Sequence, residues 1–132
     1  MADTMQFDLV APERLLVSGE AKSVTIPGSE GDMVAMADHM PLITTLRPGV
    51  LVAEMADGQA QEFVVTGGFA EVTASATSVL AEVAVPRAEA TSEMIAERLE
   101  AAKRAAAEAS SETIDAANKR VADLEALGAL IG

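Results

Sequence analysis

The sequence contains no cysteine, tryptophan or tyrosine, and its 132 residues include only one histidine and three phenylalanines. The lack of cysteine excludes disulfide bonds, thiolate zinc sites and a cysteine nucleophile. Because the only aromatic residues are Phe7, Phe63 and Phe69, the core must be built from aliphatic residues. Half of the residues are hydrophobic, which is enough for a packed core.

Basic residues are also scarce, since nine lysines and arginines face 21 acids and the formal net charge is −12. Nucleic acids and anionic lipid headgroups are bound through clustered bases, so we expect neither a nucleic-acid partner nor direct insertion into lipid. Residues 1–86 contain twelve acids and three bases (−9), whereas residues 87–132 contain nine acids and six bases (−3). This change in charge indicates a domain boundary.

Long apolar runs are missing too. None reaches the ~18–20 residues needed to cross a bilayer, and residues 1–4 lack the basic and apolar regions that begin a signal peptide. We therefore expect a cytosolic protein, held by other proteins if it works at a membrane.

The first two thirds of the sequence alternates polar and apolar residues in short runs, a pattern typical of half-buried β-strands. The alternation is clearest at residues 6–10 and 22–26, and the second run is expected to stop at Pro27-Gly28. Further strands are predicted at residues 33–37, 41–46, 50–54, 61–66, 69–73 and 79–85. Glycine and proline pairs separate these runs, and the glycines of residues 28–31 and 67–68 are expected to supply positive φ angles in turns. This arrangement favours a β-sandwich or barrel.

From Thr91 onward the apolar spacing changes to that of α-helices. Thr91 or Ser92 is the predicted N-cap of a first helix, Ser110-Ser111 marks a break, and Gly128 is expected to close a second helix. The apolar stripes are Ile95, Leu99, Ala102, Ala106 and Ala109 in the first helix, and Ile114, Ala117, Val121 and Leu124 in the second. Because the connection is short, the helices should be antiparallel. We thus predict a β-sandwich in residues 1–87 and a two-helix hairpin in residues 88–132.

Candidate catalytic groups are few. His39 lies between Asp38 and Met40, and no further histidine or acid stands at the spacing of a tetrahedral metal site. The glycines near Gly28 and Gly67 match neither the phosphate loop of nucleotide-binding enzymes nor the dinucleotide-binding fingerprint. The residues therefore predict no catalytic group, metal or cofactor, which leaves a binding or structural role.

Seven segments, taken in order, form a more specific pattern. They are FDLVAPER (7–14), SGE (18–20), VTIPGSEGD (24–32), HMPLIT (39–44), LRPG (46–49), GGFAEV (67–72) and VLA (79–81). Together they resemble the epsilon subunit family of F-type ATP synthases. The resemblance is close over the predicted sandwich and extends to the helices only in architecture.

The resemblance implies a sandwich of about ten strands followed by a helical hairpin. It also implies a non-catalytic subunit of the central stalk that links the gamma subunit to the membrane c ring and so couples proton translocation to ATP synthesis. The site of action would be the cytoplasmic face of the bacterial inner membrane. The c-ring contact would lie at Ser29, Glu30 and Asp32, and the gamma contact at His39, Met40 and Pro41. We also expect an exposed apolar patch on one sheet face that gamma covers.

The chain departs from the family pattern at two places. The family's Gly-x-x-Pro-Gly-His motif is replaced by Met-Val-Ala-Met-Ala-Asp-His at residues 33–39. In addition, nucleotide-binding members have Ile or Leu and then Asp-x-x-Arg-Ala near the start of the first helix, and residues 90–98 lack this motif. We therefore expect no bound ATP.

In this family the hairpin can extend toward the alpha and beta subunits and restrain ATP hydrolysis through basic residues. The candidates here are Lys103, Arg104, Lys119 and Arg120. Each helix also contains several acids, so we expect weak or no inhibition. Two alternatives remain open from the residues: a free-standing acidic adaptor or cochaperone-like module, and a small metal-dependent enzyme that uses His39 with nearby acids.

Overall fold

The computed structural model describes residues 3–131. One compact unit ends at Arg87 and a second begins at Ala88. The first contains nine strands in its described part: β1 (Met5–Ala11), β2 (Arg14–Gly28), β3 (Gly31–Met36), β4 (Leu42–Thr45), β5 (Gly49–Met55), β6 (Ala60–Val65), β7 (Gly68–Val72), β8 (Ala76–Ala81) and β9 (Ala84–Pro86). A short 3₁₀ turn (Arg87–Glu89) is followed by α1 (Ser92–Ala107) and α2 (Ile114–Ile131).

The long strand β2 connects the two layers of the sandwich. Its first part pairs with β1, and after an irregularity between Ala21 and Ser23 its second part lies between β5 and β3. One layer therefore has the order β4-β7-β8-β1-β2, and the other has the order β3-β2-β5-β6-β9. The strand pairs are antiparallel except that β1 and β8 are parallel. The two layers face each other across one core.

The core is aliphatic with two phenylalanines, as the composition requires. Alternate residues of β1 point inward, as do those in the second part of β2, so Phe7 and Leu9 on β1 and Val24 and Ile26 on β2 are fully buried. Thr77 is buried as well, and its hydroxyl donates to the sulfur of Met5 at 3.2 Å. Such a close-packed core deforms little under load.

The predicted combination of a β-sandwich followed by two helices is confirmed, with nine strands in residues 3–131 rather than about ten. Two strand predictions were wrong. The run at residues 22–26 is only part of β2, which includes Pro27 and Gly28, because β3 and β5 pair with this end of the strand. The run at 79–85 is divided between β8 and β9, because each pairs with a different neighbour.

The helical unit has the predicted N-cap, since the Thr91 hydroxyl accepts a hydrogen bond from the Met94 N–H at 3.1 Å. A Cβ on Gly128 would lie 3.4 Å from Ile95 Cγ2, which places the end of α2 beside the start of α1 and makes the pair antiparallel. The predicted helix end at Gly128 was wrong, because α2 continues to Ile131. Within residues 3–131, no helix is long and apolar enough to cross a membrane.

Candidate interaction surfaces

The hairpin between β2 and β3 forms an acidic turn. β2 ends at Gly28 and β3 begins at Gly31, so Ser29 and Glu30 are its two-residue tip. A Cβ on Gly28 would lie 2.8 Å from the carbonyl oxygen of Gly31. Gly31 has a φ of 133°, a region that only glycine occupies readily. The two glycines therefore let the turn close tightly with Glu30 exposed at its tip.

Arg47 connects the two ends of this turn. Its Nη1 donates to the Gly28 carbonyl at 2.7 Å, and its Nη2 forms an ion pair with the carboxylate of Asp32. Its backbone N–H donates to the Pro27 carbonyl at 2.9 Å. The backbone segments are close here, since a Cβ on Gly49 would lie 2.8 Å from Pro27 Cβ. The arginine thus fixes the acidic turn to the chain that leads into β5.

Thr45 adds a second connection to the same turn. Its carbonyl accepts from the Ser29 N–H at 2.8 Å, and its hydroxyl donates to the Ser29 hydroxyl at 2.7 Å. Sequence reasoning selected Ser29, Glu30 and Asp32 but missed both Thr45 and Arg47. A signal was present, because Arg47 is one of only three bases in residues 1–86. The sequence does not show which carboxylate it meets.

The predicted gamma-contact residues His39, Met40 and Pro41 lie together in the connection from β3 to β4. The ring Nδ1–H of His39 donates to the Met40 carbonyl at 2.6 Å, and the Met40 side chain is 79% exposed. Asp38 has a φ of 67°, and its N–H donates to the Ala74 carbonyl at 2.8 Å. The connection begins at the opposite end of β3 from the acidic tip, about 17 Å away by strand geometry.

An exposed apolar strip crosses the outer face of the β4-β7-β8-β1-β2 layer. We define the outer strip as Ile43, Phe69, Leu80, Val10 and Leu15. Phe69 pairs with Leu80, Leu80 with Val10, and Val10 with Leu15, so they form one row across four strands. Leu15 and Ile43 are 61% and 67% exposed, and Phe69 and Leu80 nearly half exposed. The expected apolar patch is therefore present on one sheet face.

A groove runs beside the outer strip. It has a volume of about 400 Å³ and is lined by Val10, Ala11, Pro12, Gly68, Phe69, Leu80, Ala81 and Glu82. The row also reaches β4, where Thr45 pairs with Phe69. Thr45 therefore joins the outer strip to the acidic turn.

The basic candidates of the helical hairpin lie on two helices. Lys103 and Arg104 are exposed on α1. Lys119 is exposed on α2 and pairs with Asp123 at 2.8 Å, whereas the neighbouring Arg120 is half-buried. Surface pairs between residues four apart contribute only about 0.3–0.5 kcal/mol. Part of the basic charge on α2 is thus compensated within the helix itself.

In residues 3–131, no three histidine, aspartate or glutamate side chains are arranged so that they could hold a metal ion. His39 makes its described hydrogen bond to the neighbouring backbone, as given above. Among the described residues, the structure therefore contains no set of metal ligands that would support a metal-dependent enzyme.

Residues 4–87 match the family model described as "ATP synthase, Delta/Epsilon chain, beta-sandwich domain". The chain belongs to the ATP synthase epsilon subunit family. The ATP synthase epsilon chain of Rhodobacter capsulatus is 53% identical to it, over 99% of this chain and 98% of that one. The epsilon chain of Paracoccus denitrificans is 50% identical, over 100% of this chain and 93% of that one. The match thus includes the helical hairpin as well as the sandwich.

Solved structures agree with this family assignment. A chain of the Euglena gracilis mitochondrial ATP synthase, in a structure of OSCP, F1 and the c-ring, superposes with a TM-score of 0.75. It is 25% identical, and the alignment covers 100% of this chain and 84% of that one. A chain of the Tetrahymena thermophila central stalk and c-ring shares the fold, with a TM-score of 0.56 at 20% identity over 64% of this chain and 68% of that one. The resemblance to the epsilon family is confirmed, and a free-standing adaptor is not favoured.

Proposed function

We propose that this chain is a non-catalytic rotor subunit that links the gamma subunit to the c ring, so that proton translocation is coupled to ATP synthesis. The observation on which this depends is that one stiff sandwich presents two different surfaces, the outer strip and the acidic turn, joined at Thr45. A coupling element needs such a body, because a soft connection between two partners would dissipate torque. Membership of the epsilon family supports the same role.

The gamma contact is proposed to extend from His39, Met40 and Pro41 across the outer strip. Exposed apolar groups of this extent are characteristic of surfaces that another protein covers. Stable interfaces also have an apolar centre surrounded by polar residues. Ile43 lies two residues after Pro41 and on the same face of β4 as Thr45. The connection that contains His39, Met40 and Pro41 is therefore a neighbour of the outer strip. We assign this surface to gamma because permanent interfaces between subunits are large and apolar.

The c-ring contact is proposed to be the acidic turn of Ser29, Glu30 and Asp32. This turn is polar, exposed at Glu30 and Asp32, and held by Arg47 and Thr45. A rigid polar tip suits the polar loops of a membrane ring, since hydrogen bonds made to charged groups are the stronger ones. The location would be peripheral, on the cytoplasmic face of the bacterial inner membrane, where the other subunits hold the chain.

The helical hairpin is proposed to be at most a weak regulator of the alpha and beta subunits. Its candidate bases are Lys103, Arg104, Lys119 and Arg120, and Lys119 is already paired with Asp123. No cofactor is proposed, since the nucleotide motif is missing from residues 90–98.

A charge placed in the outer strip tests the gamma contact. We expect Leu80→Asp to weaken binding to a gamma-containing F1 complex that lacks this subunit by at least about tenfold, because burying a leucine contributes about 1.5–3 kcal/mol. Val34→Asp is the matched control, since Val34 is 50% exposed on β3 and lies outside the strip. Calorimetric titration measures both affinities. Equal affinity for the Leu80→Asp variant and the native chain would place the gamma contact elsewhere.

A further inference from the structure

The acidic turn contains two carboxylates, and the structure treats them differently. Asp32 is held by the Arg47 guanidinium, which also binds the Gly28 carbonyl at 2.7 Å. The carboxylate of Glu30 makes no hydrogen bond or ion pair with any residue in the described range 3–131, and Glu30 is exposed at the tip. The two acids therefore differ in their contacts although they are only two residues apart.

We propose that Arg47 is the positioning residue of the acidic turn: it neutralises Asp32 and holds the turn so that Glu30 alone is presented to the partner. This inference rests on the proposed c-ring contact and assigns its residues separate tasks. Ser29 and Asp32 hold the turn in place, through Thr45 and Arg47 respectively. Glu30 meets the partner, which must offer hydrogen-bond donors or a base to a single carboxylate.

The geometry of the guanidinium is what the position requires. Arg47 reaches a carbonyl at one end of the turn and a carboxylate at the other with two different nitrogens. A lysine ammonium is a single point of charge on a flexible stem and does not reproduce this planar fork. The Arg47 side chain is also 26% exposed against 63% for Asp32, so the bond is partly shielded from water on the arginine side. An arginine is thus favoured here over any other base.

Holding the turn in advance matters for a rotor contact. A flexible loop must be ordered each time it meets its partner, and that ordering reduces the affinity. The Cβ distances at Gly28 and Gly49 show that the neighbouring backbones are already closely packed. The remaining freedom lies in the tip itself, which Arg47 and Thr45 restrict.

Amide hydrogen exchange of the full-length chain tests the positioning role without any partner. We expect Arg47→Gln to speed exchange of the amides of residues 29–32 by about tenfold, and Arg47→Lys to have an intermediate effect, since hydrogen bonds to charged groups are the stronger ones. Lys22→Gln is the matched control, because it removes the same charge from an exposed site on β2. Unchanged exchange at the tip in Arg47→Gln would overturn the proposal.

Two carboxylate-to-amide changes then separate the acids in the assembled ATP synthase. Cross-linking between the tip and the c subunit in membranes should fall strongly in Glu30→Gln and little in Asp32→Asn. It should also fall in Arg47→Gln and be partly restored in Arg47→Lys, while the unfolding midpoint of each free variant stays near that of the native chain. An equal or greater loss of cross-linking in Asp32→Asn would overturn the division of tasks.

If the native chain gives no cross-link while the exchange result holds, the c-ring contact has failed and the proposed presentation of Glu30 fails with it. If amide exchange is unchanged in Arg47→Gln while the native chain gives a normal cross-link, only the proposed role of Arg47 has failed.

Discussion

Gly68 lies against the backbone of Leu80, so that a Cβ at position 68 would be 2.0 Å from the Leu80 carbonyl oxygen. Gly68 also has a φ of 119°, which residues with side chains rarely adopt. Gly67 and Gly68 were predicted to supply positive φ in a turn, and both angles are positive. Gly68, however, is the first residue of β7 and is needed for close strand approach as well.

Gly68→Ala should therefore lower the free energy of unfolding by about 2–4 kcal/mol, because strain and a steric clash act together. Gly58→Ala is the control, since Gly58 has a φ of 87° with open space around its Cα. Its loss should be about 1 kcal/mol, from backbone strain alone. Urea unfolding measures both values. Equal losses would show that the clash at Leu80 is relieved without penalty.

Asp38 has a φ of 67° in the connection before His39, at the place where the family motif has glycine. Asp38→Ala should destabilise the chain by about 1 kcal/mol, because alanine lacks the tolerance of aspartate for this region. Asp38→Gly should change the stability by less than about 1 kcal/mol, since relief of strain is offset by greater freedom of the unfolded chain. Thermal unfolding of both variants distinguishes the two effects. A stabilising alanine would show that the positive φ is not retained in solution.

Gly128 lies within α2 rather than at its end. Gly128→Ala should raise the stability of the hairpin by about 0.5–1 kcal/mol, because alanine favours the helix and the nearest contact, Ile95 Cγ2 at 3.4 Å, leaves room for a methyl group. Gly128→Leu should lower it by overpacking against Ile95. Circular dichroism during heating measures the helical transition. If alanine and leucine are equally destabilising, α1 and α2 lie closer together than the 3.4 Å contact indicates.

The cap at Thr91 offers a separate test of α1. Thr91→Ala removes the acceptor for the Met94 N–H and should destabilise the helix by about 1 kcal/mol, whereas Thr91→Asp keeps an acceptor and should be close to neutral. The helical signal under urea gives both values. Equal loss in the two variants would show that the hydrogen bond does not stabilise the helix.

Deletion of residues 88–132 tests regulation by the hairpin. We expect the rate of ATP hydrolysis of the membrane complex to stay close to that with the full-length chain, because the available bases are few and Lys119 is paired within its own helix. Copurification of the shortened chain with the complex is the control for its assembly. A large activation would show that the hairpin restrains hydrolysis.

The sequence was most informative where the evidence is local. Alternation at residues 6–10 predicts β1, and the stripes beginning at Ile95 and Ile114 predict α1 and α2, because a strand and a helix each impose their own period on the side chains. The same reasoning misjudged β2, β8 and β9. Their ends depend on which strand pairs beside them, and that strand is distant in sequence.

The candidate surfaces divide in the same way. The sequence located the acidic turn and the His39 connection through family resemblance, but it did not reveal that Arg47 meets Asp32 across fifteen positions. Nor did it show that Phe69, Leu80, Val10 and Leu15 form one row, since the row depends on strand order and register.

By itself, then, the amino-acid sequence determined the fold class, because short-range periodicity reflects the hydrogen-bonding pattern of each element, and it determined the family through the order of seven segments that resemble it. Only the tertiary structure decided which acid pairs with Arg47 and which apolar side chains share a surface. Those relationships arise when strands from distant parts of the chain come within about 5 Å of one another, and no local pattern encodes their register.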